Sequence, residues 1–315
     1  MRIGAARPAR PENRGRRGAR VMGAPVLDYL IDDPALRERG PGEELAVAVA
    51  RAGGGDAAVR VRRPLTTLFP LASMRPRPTV REQTKGGTVT GGPLRYVREL
   101  PAEGGGASGT AYRATPEAVF RAAAAKAELT EISVAVPVPA ELTRDPALLA
   151  RFVEHRVIVR LCTVENEVLL HGSGDGAITG LLNLDGLRRM DASGRPEAPG
   201  RPDGSALEAL MAACAEVEET GGSCDGLVMH PALYWRLVFA GALPALDSAG
   251  LRVTRTRMIA RDRVLLGDFR AGVTLLDGEE SALALRVRGD TATITASMPL
   301  GLAVHLPQHF VLLSL

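Results

Sequence analysis

Residues Leu169–Asn183 read LLHGSGDGAITGLLN, four glycines around one aspartate directly after a long apolar and charged stretch. A phosphate cradle places glycine amides at the start of a helix that follows a strand, usually with a lysine reaching the phosphates. Here the glycines follow a predicted helix, and the only lysines in the chain are Lys85 and Lys126. A helix-loop-helix calcium site needs several carboxylates and a closing glutamate, and Asp175 is the only side-chain carboxylate in the run. What remains is a sharp turn, in which Gly172, Gly174, Gly176 and Gly180, with Asp175 among them, permit positive backbone angles behind a long helix.

The helix in front of this turn is the most legible part of the chain. In TRDPALLARFVEHRVIVRLCTVENEVLL, Thr143 or Asp145 suits the N-cap and Pro146 the first turn. Leu149, Val153, Val157, Leu161, Val164 and Val168 recur at three- and four-residue spacing, which predicts one amphipathic helix over 146–170 with these six residues on its core face. At ~1.5 Å per residue it spans about 35–40 Å. Gly172 ends it.

N-terminal to that helix, GEELAVAVARAGGG reads as a short helix, as does APVLDYLIDDPALRERG before it, and residues 64–92 favour extended chain. PLRYVREL and ISVAVPVP are strand-like, the second alternating Ile132, Val134, Val136 and Val138 with smaller residues. Together they predict a long two-stranded arm with a glycine-rich tip. AVFRAAAAKAEL, between them, has the composition of a helix. Beyond Gly200, helices SALEALMAACAEVEE and ALYWRLVFA mix with strands GLVMHP, RVTRTRMIA, RVLLGDF, GVTLLDG, ALALRVR and TATITAS, and LAVHLPQHFVLLSL reads as one apolar closing strand. The order lacks the regular rhythm of a doubly wound sheet and gives an α+β class.

With 315 residues, 45% of them hydrophobic, the chain can bury a substantial core, which excludes a wholly disordered protein. A net charge of +3 does not by itself indicate nucleic-acid binding. The charge is uneven, however: Arg2, Arg7, Arg10, Arg14, Arg16, Arg17 and Arg20 face only Glu12, in a segment too poor in apolar residues to collapse. This predicts a basic arm, either solvated or in electrostatic contact with nucleic acid or an acidic cargo, with Met22 as an alternative start. No apolar segment follows Arg16-Arg17 as an export signal requires, and no stretch has the roughly 20 apolar residues of a membrane helix. The expected location is the cytoplasm.

Candidate chemistry is thin. Cys162, Cys214 and Cys224 lack the spacing of a zinc site or disulfide framework and read as small buried hydrophobes. His155, His171, His230, His305 and His309 show no metal-ligand spacing. GGSCDG lacks the Gly-x-Ser-x-Gly order of a nucleophile elbow, so Cys224 reads as a turn residue. Asp185, Asp191, Glu197 and Asp203 sit among Gly, Pro and Arg as a solvated loop. No catalytic, cofactor or metal residue is assigned, and an enzyme is not expected.

The order of these pieces resembles the tailed-phage major capsid and encapsulin shell superfamily. In that superfamily a long spine helix ends in a run of the type Leu-Leu-x-Gly-x-Gly-x-x-x-x-x-Gly-Ile-Leu-Asn; Leu169, Leu170, Gly172, Gly174, Gly180, Leu181, Leu182 and Asn183 occupy those places. PLRYVREL with its tip resembles the extended loop that lies over a neighbouring subunit, which gives Leu94, Tyr96, Val97, Gly104, Gly105, Gly106 and Tyr112 an assembly role. CDGLVMHPALYWRLV is similar to the strand and helix of the axial domain, and RVLLGDFRAGVTLLDGE and GLAVHLPQHFVLLSL to closing strands. The likeness covers about residues 94–315.

The resemblance implies a tailed-phage capsid-type fold divided into a basic arm and short helix (1–44), an extended segment (45–87), the extended loop and return strand (88–138), a peripheral domain with spine helix and glycine loop (139–200), an axial domain (201–297) and a closing peripheral strand (298–315). It implies many copies of the chain closing into an icosahedral shell without cofactor or membrane. The contents would be a cargo protein in an encapsulin nanocompartment, favoured by the short basic arm where some phage members carry a helical scaffolding extension. In a tailed-phage or prophage capsid they would be DNA, touched by Arg7, Arg10, Arg14, Arg16, Arg17 and Arg20. Some members crosslink a lysine of the extended loop to an asparagine; Lys126 could be the former, but no asparagine follows Asn183, so covalent crosslinking is not expected.

Overall fold

The computed structural model describes residues 40–68, 79–100, 121–174, 178–192 and 204–315. The helix expected over residues 24–40, the Arg7–Arg20 cluster and the loop tip with Gly104, Gly105, Gly106 and Tyr112 lie outside them, as do Asp175 and Gly176. Residues 39–315 form one compact unit.

Helix α1 (Pro41–Arg51) opens with proline and two glutamates in its first turn and ends on an arginine, an order that suits the helix dipole at both ends. Strand β1 (Ala57–Val61), two short 3-10 turns (Leu65–Leu68 and Val80–Gln83) and β2 (Lys85–Val89) follow. Strands β3 (Leu94–Leu100) and β4 (Arg121–Ala127) pair antiparallel from Leu94↔Ala127 to Leu100↔Arg121. This corrects the predicted arm. The partner of PLRYVREL is RAAAAKA, whose alanine-rich composition favours helix in isolation; seven cross-strand pairs override that weak local preference. The other expected partner, β5 (Thr130–Pro139), belongs to a different sheet.

The long helix runs from Pro146 to His171 in three parts: α2 (Pro146–Phe152), a π-helical segment (Val153–Val157) and α3 (Ile158–His171). Asp145 caps it, its carboxylate accepting from the Leu148 amide at 3.0 Å. Leu149, Val153, Val157 and Leu161 are fully buried, while Val164 and Val168 are only half-buried and flank the core. The wider π turn accommodates an extra residue and moves the inward stripe along by one, so Glu165, Asn166, Leu169 and Leu170 face inward instead.

The rest of the chain comprises β6 (Arg188–Asp191), α4 (Gly204–Glu218), β7 (Gly226–Met229), α5 (Pro231–Phe239), α6 (Leu243–Ser248), β8 (Arg252–Arg255), β9 (Arg263–Gly267), α7 (Phe269–Gly272), β10 (Val273–Gly278), β11 (Ser281–Arg288), β12 (Thr291–Val304) and β13 (Phe310–Ser314). The expected single closing strand divides: Leu302–Val304 complete β12, a 3-10 turn covers Pro307–His309, and β13 joins another sheet. Pro307 lacks the amide that a continuous ladder needs at that point.

Strand β12 organises the first sheet. Along one edge it pairs with β5 over 291–300; along the other it pairs first with β11 and then with β10, which carry β1 and β2 outward. The second sheet has the order β6-β13-β9-β7-β8. Its strands alternate between two cores. Val228, Leu265, Phe310 and Leu312 join the cluster beneath the long helix, whereas Leu227, Met229, Val264, Leu266, Val311 and Leu313 join the cluster under α4, α5 and α6. The sheets do not divide at 201 and 298: β10 to β12 share a sheet with β5, and the last strand shares one with β7 and β9.

Candidate assembly surface

The glycine run closes the long helix upon itself. Gly172 N donates to Val168 O, Gly180 N donates to Gly172 O, both at 2.9 Å, and Ser173 and Thr179 form an antiparallel bridge. The returning backbone lies so close that a Cβ on Gly180 would stand 2.5 Å from Gly172 N and Leu170 O, and one on Gly172 2.1 Å from Ile178 O. Gly174 has φ +82°, a left-handed conformation that suits glycine. The Asn183 amide then donates to the carbonyl oxygens of His171 and Gly172 at 3.1 and 3.2 Å, satisfying groups that a helix end leaves open. This geometry is structural closure.

Of the loop residues, Leu94 and Tyr96 pack with Ala127, Leu276 and Ala303, while Val97, on the opposite face, is 62% exposed. The hairpin is fastened to the corner between β12 and β13. The Tyr96 and His305 rings meet edge-to-face at 5.1 Å, and Glu99 N donates to His305 O at 2.8 Å. Gln308 donates through its amide to the Glu99 carboxylate, and Arg98 donates to Asp185 O at 3.1 Å. His305 Nδ1 lies 3.2 Å from Val97 O and its Nε2 3.1 Å from Thr274 Oγ1, so this histidine serves the hairpin. One face of the hairpin is thus docked and the other is open for contact.

A buried ion cluster joins the segment before β2 to the long helix. Arg81 makes a bidentate pair with Asp277, both bonds 2.8 Å, and donates from Nε and Nη2 to Glu165 Oε1 at 2.8 and 2.5 Å. Thr66 Oγ1 donates to the same oxygen at 3.1 Å, while Glu165 Oε2 has no partner among the described residues. Burial pushes the Glu165 carboxyl up, against the opposing charge and hydrogen bond of Arg81. Burial alone would lower Arg81, but its bond to Asp277 and the charge of Glu165 hold it above the usual arginine range. Beside the cluster, Asn166 Oδ1 accepts from Val80 N at 2.8 Å.

No group of three or more His, Cys, Asp or Glu among the described residues is arranged to hold a metal ion. No described helix is long and apolar enough to cross a membrane. The thiols of Cys162, Cys214 and Cys224 are free, and burial pushes Cys162 well above the ordinary thiol value. In GGSCDG the organising residue is Asp225, whose carboxylate accepts from the Phe269 and Arg270 amides at 2.8 and 3.2 Å. Cys224 is buried beside it.

Sequence reasoning missed Arg81, Glu165 and Asp277, for which no local spacing gives a signal. It also missed an exposed apolar face on α5, where Trp235, Val238 and Phe239 are uncovered. The three- and four-residue spacing of those residues in ALYWRLVFA was a usable sign of a second face.

No protein-family profile and no curated protein matches the chain. Solved structures do. A virus-like particle from Pyrococcus furiosus matches with a TM-score of 0.53 and 16% identity over 79% of this chain and 96% of its own. The capsid of the native GTA particle, computed with C5 symmetry, matches with a TM-score of 0.53 and 16% identity over 77% of this chain and 97% of its own. A structure from Mycobacterium phage Adephagia gives 0.53 and 14% identity over 78% of this chain and 92% of its own. The described architecture is therefore the α+β capsid-type fold that these particles share.

Proposed function

We propose that the chain is a self-assembling shell protein, many copies of which close into an icosahedral container. The observation that carries this reading is the fold likeness, which spans 96% of the Pyrococcus virus-like particle chain and 97% of the GTA capsid chain. The hairpin agrees with it. A two-stranded element is marginal alone; here one face is fastened to the subunit and the other presents Val97 outward, as an element that lies across a neighbour would. Several modest contacts per subunit, repeated around symmetry axes, give a stable particle because each copy is held by several neighbours at once.

Our first reading of the contents is a cargo protein, as in an encapsulin nanocompartment in the cytoplasm. The second is DNA, as in a phage or prophage capsid. It is supported by Arg7, Arg10, Arg14, Arg16, Arg17 and Arg20, which could neutralise phosphates, and by the GTA and mycobacteriophage likenesses. Electron microscopy of the chain expressed alone tests the shell: closed particles are expected, and a monodisperse monomer at high concentration rejects it. The ratio of ultraviolet absorbance at about 260 and 280 nm in nuclease-treated particles then separates the contents, because packaged nucleic acid dominates the first wavelength and protein the second.

A further inference from the structure

The exposed face of α5 has a counterpart on the same chain. Phe239 is 90% and Trp235 58% exposed, one helical turn apart, with Val238 beside them. Large apolar groups clustered this way usually mark a contact site. Arg255 stacks over the rings of Tyr234 and Trp235, with centroid distances of 4.5 and 5.3 Å, so the apolar face carries a positive edge.

A groove of about 410 Å³ is lined by Glu82, Tyr234, Leu243, Asp247, Leu251 and Arg252. A cavity of that size accommodates an aromatic side chain with room for its neighbours. Its cation is already engaged: Arg252 donates to Glu82 O and Gln83 O at 2.8 and 3.0 Å and pairs with Asp225 at 3.6 Å. Neither Glu82 nor Asp247 has an ion pair among the described residues, and burial pushes the Glu82 carboxyl up. An aromatic knob with a positive edge and an acidic, partly apolar groove therefore stand on one molecule.

We infer that the α5 face of one copy docks into the Tyr234–Leu251 groove of a second copy, Phe239 and Trp235 filling the groove and Arg255 approaching Asp247 and Glu82. A patch that fits a pocket elsewhere on the same chain joins identical subunits without needing another partner. Buried aromatics flanked by arginine are the residue types that dominate such contacts. The inference names contact residues beyond the shell reading and relies on that reading only for the number of copies.

Two measurements test it. Phe239 is nearly fully exposed, so Phe239→Glu and Phe239→Arg should fold with the far-ultraviolet circular dichroism of the parent. Phe239→Glu sets an anion against the acidic groove and should weaken self-association by tenfold or more; Phe239→Arg should weaken it several-fold less. Equal loss for both, or no loss for either, overturns the charge-matched contact. Second, full-length Ala240→Cys and Ser248→Cys chains are mixed and treated with a short bis-maleimide, with the unmodified chain as control for native thiols. A product joining one chain of each kind is expected; its absence in assembled material, as when another segment fills the groove, overturns the contact. Particles without this product leave the shell reading standing and remove the inference. The product without closed particles removes the shell and keeps the contact.

Discussion

Asn183 donates through its side-chain amide to the carbonyl oxygen of His171 at 3.1 Å and to that of Gly172 at 3.2 Å, tying the exit of the glycine loop to the end of the helix it leaves. Removing the amide in Asn183→Ala should cost about 0.5–1.5 kcal/mol, the net worth of an ordinary hydrogen bond. Asn183→Asp should be worse than alanine, because it replaces a donor with a negative charge facing the negative end of the helix dipole. Thermal unfolding should give the order Asn, Ala, Asp from most to least stable.

The same closure makes a sharp prediction for glycine. In Gly180→Ala the new methyl would lie 2.5 Å from backbone atoms of Leu170 and Gly172, which cannot move without breaking the helix end. A loss of about 1–3 kcal/mol is expected, the range for overpacking. Gly87, in β2, has nothing within 4 Å of the corresponding position, so Gly87→Ala should change stability by less than about 1 kcal/mol. Chemical denaturation of the two variants measures the contrast directly.

Arg81 neutralises two buried carboxylates at once, and its loss leaves both without a cation. Arg81→Met should therefore destabilise by about 3–5 kcal/mol, the cost of breaking a buried pair by removing one partner. Arg81→Lys should fall between the two, since an ammonium cannot make the bidentate bond to Asp277. Denaturation midpoints with unchanged slopes would assign the loss to the native state.

Glu165 gives that cluster a pH signature. Its folded carboxyl is raised above its unfolded value, so the folded state binds the proton more readily. The linked stability is fully present below the ordinary carboxylate value of about 4.3 and is lost as pH rises through the higher folded value. Glu165→Gln resembles the protonated acid in shape and removes this titration. The difference in Tm between parent and Glu165→Gln should thus shift in favour of the parent as pH falls from 7 toward 5. A constant difference would show that Glu165 is not raised.

These contacts mark where the sequence was readable and where it was not. Helix boundaries at Asp145 and Gly172 follow from local chemistry, a cap and a chain reversal, and both were legible. The π turn at Val153–Val157 was not, because the residues there have ordinary helical composition and only the downstream packing of Glu165 and Leu169 reveals the shift. Strand β4 was hidden because RAAAAKA has no alternation and takes its conformation from β3. Arg81 lies 84 positions from Glu165 and 196 from Asp277, a separation that no periodicity spans. The glycine run was readable as a turn; the role of Asn183 as its lock required coordinates. The open face of α5 did carry a sign, the helical spacing of Trp235, Val238 and Phe239, but Leu233 and Leu237 account for the helix without it.

His305 is the test of the hairpin's attachment. Its ring packs edge-to-face on Tyr96, its two nitrogens approach Val97 O and Thr274 Oγ1, and its backbone oxygen accepts from Glu99 N. Substitution by alanine leaves that backbone bond in place and removes the ring, with an aromatic contact of about 0.5–1.5 kcal/mol and its polar bonds. Most of the loss should be local, because β3 and β4 form their own two-stranded sheet and the bulk of the core lies under the long helix. Hydrogen exchange should therefore quicken in residues 94–100 and 121–127 of His305→Ala, with protection in β12 and α3 near that of the parent. Uniform acceleration across the described residues would instead make His305 part of the global fold, and unchanged exchange in the hairpin would show that Gln308 and Arg98 hold it without the ring.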